Sequence, residues 1–179
     1  MSDWRPDALL AGFEAREFAF ADDYDGAVIA TLVRLPAPQA QRGAVLYVHG
    51  FIDYFFQRHL ALRFAAEGYA FYALDLRKHG RSLRPHQHAC FCKDIAEYFD
   101  DLTRALEEIG EPVLLAGHST GGLICALYAA EGGVAWARAR LARDSSFAGG
   151  AVEVGPGRAV VEVLGASGGA DLREIHVRG

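Results

Sequence analysis

The chain has 179 residues, is 51% hydrophobic and 23% charged, and carries a net charge of −5, a balance that suits one domain with a real apolar core. The absence of a basic patch argues against a nucleic-acid partner, and no run approaches the ~18 consecutive apolar residues of a membrane span. The start, Met1-Ser2-Asp3-Trp4-Arg5-Pro6-Asp7, lacks a basic segment leading into an apolar one, and Cys90, Cys92 and Cys125 are an odd, sparse set rather than a disulfide framework, so cytoplasmic residence is the expectation.

In chain order, residues 16–20 and 28–35 read as two strands of an antiparallel edge, joined through the turn Asp22-Asp23-Tyr24-Asp25-Gly26. Residues 43–48 are continuously apolar, the pattern of a strand covered on both faces, and end in His49-Gly50-Phe51. A helix is predicted over 56–67, with Leu60 and Phe64 at helical spacing and Gly68 as its stop, and a further apolar strand follows over 69–76. Ile95, Tyr98, Phe99, Leu102, Leu106 and Ile109 keep the 3.6-residue period, so 93–109 reads as an amphipathic helix ending at Gly110. Alternating strands and helices imply an α/β fold with a mostly parallel sheet, helices on both faces, and ligands bound beyond the strand C-termini.

The sharpest feature lies at that edge. Gly117-His118-Ser119-Thr120-Gly121 sits between the apolar run 112–116 and the helix-forming run 123–130. A serine on a sharp strand-to-helix turn adopts a strained backbone, so the residues two before and two after it must be nearly free of side chain. Gly117 and Gly121 meet that demand, which makes Ser119 a candidate nucleophile on an elbow. The Thr120 amide, at the helix N-terminus, is well placed to face developing negative charge.

Three segments, Val45-Leu46-Tyr47-Val48-His49-Gly50-Phe51, Leu74-Asp75-Leu76-Arg77-Lys78-His79-Gly80-Arg81-Ser82 and Gly117-His118-Ser119-Thr120-Gly121-Gly122, stand in the order and approximate spacing of a known superfamily. Over about residues 16–131 the chain resembles the α/β-hydrolases, in the branch containing lysophospholipase-like, monoacylglycerol-lipase-like and serine-aminopeptidase-like enzymes. Lys78 departs from the pattern, which usually has Gly before His-Gly. The resemblance implies that Ser119 attacks an ester or amide carbonyl and that the Phe51 and Thr120 amides form the oxyanion hole. His49 and His118 read as structural histidines, and Asp75, His79 and Ser82 as loop-shaping residues.

The resemblance also implies an acid and then a histidine after the nucleophile. His176 is the only histidine downstream of Ser119, so a triad in that order must use it as base, with Asp144, Glu153, Glu162, Asp171 or Glu174 as acid. From about residue 132 Gly, Ala, Val and Arg dominate, and Gly149-Gly150, Gly155-Pro156-Gly157 and Gly168-Gly169 interrupt two short strands expected near 152–154 and 159–164. The expected organisation is therefore the N-terminal part of a hydrolase domain over 1–131, followed by a tail over 132–179 that reads as a truncated or out-of-frame ending. No helix with a defined apolar face is evident in that tail.

His86, His88, Cys90 and Cys92 recur at every second residue, but four ligands at that spacing span too much length to converge on one tetrahedral ion, so no metal is expected. Cys125 reads as core. A serine at the elbow excludes branches with an aspartate nucleophile and leaves acyl transfer to water, without a cofactor. Phe51, Tyr54, Phe55 and Phe56 either present an apolar surface for an acyl chain or anchor the next helix. The expected partner is a small acyl-ester or lipid substrate. A hydrolase-fold remnant lacking a working base, serving as a binding protein or as no functional protein at all, is the alternative; the oligomeric state is not readable.

Overall fold

A computed structural model describes residues 3–36, 40, 42–110, 112–143, 149–154, 157–165 and 173–178, which fall into two units, Met1–Cys125 and Ala126–Gly179. The first unit opens with β1 (Arg5–Pro6), β2 (Glu14–Ala19) and β3 (Ile29–Arg34), followed by β4 (Ala44–Val48), α1 (Arg58–Ala66), β5 (Ala70–Asp75), α2 (Glu97–Ile109) and β6 (Val113–Gly117). The next helix, α3 (Thr120–Arg143), begins in this unit and runs into the second.

The six strands form one sheet in the order β1-β2-β3-β5-β4-β6. β1, β2 and β3 are antiparallel to their neighbours, whereas β4 lies parallel between β5 and β6. All five residues of β4 are buried, as the uninterrupted apolar run requires of a strand covered on both faces. Its register places Val48 opposite both Leu74 and Gly117, so the C-terminal ends of three parallel strands reach the same sheet edge.

Alternation along the strands divides the core. Val45 and Tyr47 of β4, Phe71 and Ala73 of β5 and Val33 of β3 pack in one cluster with Phe13, Phe55 and Ala61, joined by Leu60 and Phe64 from α1. Phe71 is the hinge of its aromatic part, with ring centroids 5.3 Å from Phe55 and 5.9 Å from Phe64. Leu46, Val48 and Leu74 point to the other face; α2 packs on β5 and buries Tyr98, Leu102 and Ala105.

α2 starts at Glu97 rather than at the predicted 93 because the preceding turn is closed by side chains. The Glu97 carboxylate accepts the Lys93 and Asp94 amides, and the Asp94 carboxylate accepts the Ala96 amide. Gly110 ends the helix at φ +69, its amide returning to the Leu106 carbonyl.

In the second unit, α3 continues through Gly132-Gly133 to Arg143, beyond the sequence expectation, because the Ala-, Leu- and Arg-rich stretch after the glycines has high helix propensity. β7 (Gly149–Val154), β8 (Gly157–Gly165) and β9 (Arg173–Arg178) form their own antiparallel sheet in that order. β9 has no counterpart in the sequence expectation, although Ile175 and Val177 alternate with the polar residues Glu174, His176 and Arg178. Among the described residues no helix is long and apolar enough to cross a membrane.

The aromatic cluster sets a stability expectation. Phe71→Ala removes a side chain that is 1% exposed and leaves a cavity between α1 and the sheet, a change that typically costs about 3–5 kcal/mol. Urea unfolding of the two proteins side by side measures it.

Candidate active site

Ser119 is the first residue after the Gly117-His118 turn and adopts φ +55, a left-handed conformation uncommon for a residue with a Cβ. The conformation is held from both sides. The His118 amide donates to the Val48 carbonyl at 3.0 Å, and the Gly122 and Leu123 amides donate to the Ser119 carbonyl at 3.0 and 3.3 Å, starting α3. The flanking glycines are required sterically. A Cβ on Gly121 would strike the carbonyl oxygens of Val48 and His49 and sit 2.8 Å from the Val48 carbonyl carbon; one on Gly117 would sit 2.5 Å from the Gly121 carbonyl group. Ser119 is exposed.

The loop after β4 lies against this turn: a Cβ built on Gly50 would be 3.3 Å from the Ser119 Cβ and from His118 Nδ1. Phe51 follows, and neither its amide nor that of Thr120 makes a hydrogen bond among the described residues. Two unspent donors thus lie on the residues that follow Ser119 and Gly50, the arrangement an oxyanion hole would need.

His49 is 1% exposed and both ring nitrogens are engaged. Nε2 accepts the Leu76 amide at 3.1 Å, which leaves the proton on Nδ1 to be donated to the Gly50 carbonyl at 2.8 Å. This is a neutral imidazole with no nitrogen free for base catalysis, and burial holds its pKa below the ordinary value. Its bond to the Gly50 carbonyl orients a trans peptide whose other end is the Phe51 N–H, so His49 aims that donor. His79 packs 4.9 Å from His49, donates through Nδ1 to the Arg77 carbonyl at 2.8 Å, and is pushed down to about 4, chiefly by burial.

Asp75 ties the loops together. Its Oδ1 accepts the Phe55 amide at 2.8 Å, and its Oδ2 accepts the Arg81 amide and guanidinium at 3.0 and 2.9 Å. Arg81 also forks onto Asp7, with two bonds of 2.7 Å. Ser82 donates to the Asp75 carbonyl at 2.7 Å.

The aromatic quartet divides. Phe55 is fully buried against Phe13, Tyr47 and Phe71, while Phe51, Tyr54 and Phe56 are 61%, 38% and 53% exposed, joined by Ile52 at 75%. Ile52, at φ +51, had no signal in the sequence, because a β-branched residue is the last expected in a left-handed conformation.

His86, His88, Cys90 and Cys92 lie in a turn-rich loop rather than on a strand. His86 turns to the Ala27 carbonyl, His88 to the Asp25 carboxylate and Cys92 to Tyr98. Cys125 is buried, its thiol pushed up to about 11 by desolvation.

His176 lies in β9, in the second unit, as the register partner of Glu162. Glu153 is in β7 and Glu174 in β9, whereas Asp144 and Asp171 lie outside the described residues.

The profile of serine aminopeptidase, S33, matches residues 39–155, which takes in β4, the His49-Gly50-Phe51 loop and the elbow. The chain belongs to the S33 serine aminopeptidase family. Within the wider α/β-hydrolase superfamily, this S33 chain is 38% identical over 96 residues to a monoacylglycerol lipase of Mycolicibacterium smegmatis, an alignment covering 50% of the chain and 33% of that protein. Its structure is similar to a soluble variant of monoglyceride lipase from Saccharomyces cerevisiae, solved with a substrate analogue, at TM-score 0.50 and 28% identity over 65% of this chain and 38% of that one. A carboxyl esterase from Bacillus coagulans shares the fold at TM-score 0.52 and 24% identity, over 64% and 39% of the two chains. The S33 chain thus spans about a third of the length of the curated relative it matches.

The two buried histidines set a pH dependence. With a folded pKa near 4 against an ordinary 6.5, His79 stays neutral in the fold while the unfolded chain takes up a proton. Stability is therefore full above 6.5 and falls as pH drops toward 4, by at most about 1.4 kcal/mol per pH unit for each such histidine. Urea midpoints measured across that window should decline in the native chain and decline less in His79→Asn.

Proposed function

We propose that this chain works as a serine hydrolase of carboxylic esters with apolar acyl groups, of the lysophospholipase or monoacylglycerol lipase type. The observation that carries the reading is Ser119 at φ +55 beside the Gly50-Phe51 loop, with two unengaged amides flanking it. In this reading Ser119 Oγ attacks the ester carbonyl and a base takes its proton. The Phe51 and Thr120 amides receive the oxyanion, and collapse expels the alcohol to leave an acyl-enzyme that water hydrolyses. Phe51, Ile52, Tyr54 and Phe56, exposed in the loop after β4, would favour an acyl chain over a charged peptide. The relatives' names, monoacylglycerol lipase and monoglyceride lipase, support the same substrate class.

The base assigned is His176, since both nitrogens of His49 are engaged and His118 adjoins the nucleophile. The acid in this reading is one of Asp144, Glu153, Glu162, Asp171 and Glu174. The reading divides the chain into hydrolase-type residues 1–131 and a segment 132–179 from which the base and acid would come.

A second reading has its own support: β7, β8 and β9 pair antiparallel with one another rather than as parallel strands beside β6. In that case the chain keeps a nucleophile and oxyanion donors without a base and acts as a binding protein.

Hydrolysis of p-nitrophenyl esters of short and medium acyl chains by the native chain, Ser119→Ala and His176→Ala separates the two. The first reading expects each substitution to lower kcat by several orders of magnitude. Absent activity, or activity indifferent to both changes, overturns the first and leaves a catalytically incomplete hydrolase fold.

A further inference from the structure

Lys78 is a lysine where the superfamily pattern usually has glycine, and its surroundings are built for it. It adopts φ +63 yet is fully buried. Its Nζ lies 2.8 Å from Asp23 Oδ2 and 2.7 Å from Asp25 Oδ2, and 3.8 Å from the centre of the Tyr24 ring. The β2–β3 turn thus encloses the ammonium with two carboxylates and an aromatic face. His88 Nδ1 bonds the second oxygen of Asp25 at 2.8 Å, and the Cys90 amide donates to the Lys78 carbonyl at 3.0 Å, so the 86–92 loop is attached to the same point.

The residue fastened next to this anchor is His79, whose ring packs on His49, and His49 in turn donates to the Gly50 carbonyl that shares a peptide plane with the Phe51 amide. A left-handed residue bound through both its side chain and its carbonyl leaves the following residue little freedom. We propose that Lys78 is a positioning residue for the Phe51 oxyanion donor, acting through His79 and His49, with the β2–β3 turn as its fixed support. The inference rests on the ester-hydrolase reading for its kinetic consequence, while its structural half, control of the His49 ring, stands independently.

An oxyanion donor contributes in the transition state more than in the ground state, so a loosened Phe51 amide lowers kcat and leaves KM nearly unchanged. The test compares Lys78→Met, Lys78→Arg and the double variant Lys78→Met/Asp25→Asn in the full chain. The double variant removes a cation and an anion together, so it remains informative if stranded aspartates keep the single variant from folding. Two readouts are taken: kcat and KM on a p-nitrophenyl ester, and the His49 tautomer by nitrogen-15 NMR of histidine-labelled protein.

The expected result is a fall in kcat of roughly tenfold or more with KM within about twofold. The Nδ1–H signature of His49 should be shifted or split in the folded methionine variants, and both readouts should recover in Lys78→Arg. Unchanged kcat together with an unchanged His49 signature in a folded methionine variant overturns the proposal, as does a loss confined to KM. If the native chain has no Ser119-dependent turnover, the ester-hydrolase reading fails. The His49 signature then decides alone: a change in the variants supports control by Lys78, and no change refutes it.

Discussion

The close approach of the first turn of α3 to the end of β4 sets the geometry of everything around Ser119. Gly121 lies against the Val48 and His49 carbonyls with no space for a methyl group, and the His118 amide donates to Val48. That approach forces Ser119 into the left-handed region, and the strain is sustained because β4 is the most deeply covered strand of its sheet and cannot yield. Had β4 been at the sheet edge, the same turn would relax by moving the strand.

A second constraint follows from burial. The loops beyond β4 and β5 carry His49, His79, Asp75 and Arg81 into a region where an unpaired polar group is costly, and every one of them finds a partner. The histidines are satisfied as neutral rings, which removes them from acid–base work and makes them supports. Asp75 is satisfied by backbone amides on one side and a guanidinium on the other, which fastens the segment carrying Phe55 to the turn carrying Arg81. The polar groups here shape the loop that carries Gly50 and Phe51.

The S33 match over residues 39–155 takes in the parallel strands, the His-Gly-Phe loop and the elbow of the first unit and extends as far as β7 of the second. The second unit is of a different character. Its three strands form an antiparallel meander, and His176, Glu153, Glu162 and Glu174 lie within strands rather than on loops at a strand end. Ser119 thus sits on a tightly packed sheet edge, whereas His176 sits on a strand of a small separate sheet.

Much of the first unit was legible in the residues themselves. Apolar runs of strand length, a 3.6-residue period in α2 and glycines bracketing Ser119 are local signals, and local signals survive in sequence because each acts within a few residues of itself. The split of the aromatic quartet, with Phe55 buried and its neighbours exposed, was not legible, since adjacent aromatics look alike until the sheet supplies a cluster for one of them. Nor were the left-handed Ile52 and Lys78, whose conformations no local preference favours. The neutral tautomer of His49 needed a Leu76 amide 27 residues away, and the burial of Lys78 needed carboxylates more than 50 residues distant. The sequence by itself determined the order of the main elements of the first unit and the place of the strand-to-helix turn that carries Ser119; only the tertiary structure decided which polar groups support that turn, because that depends on partners brought together across the sheet.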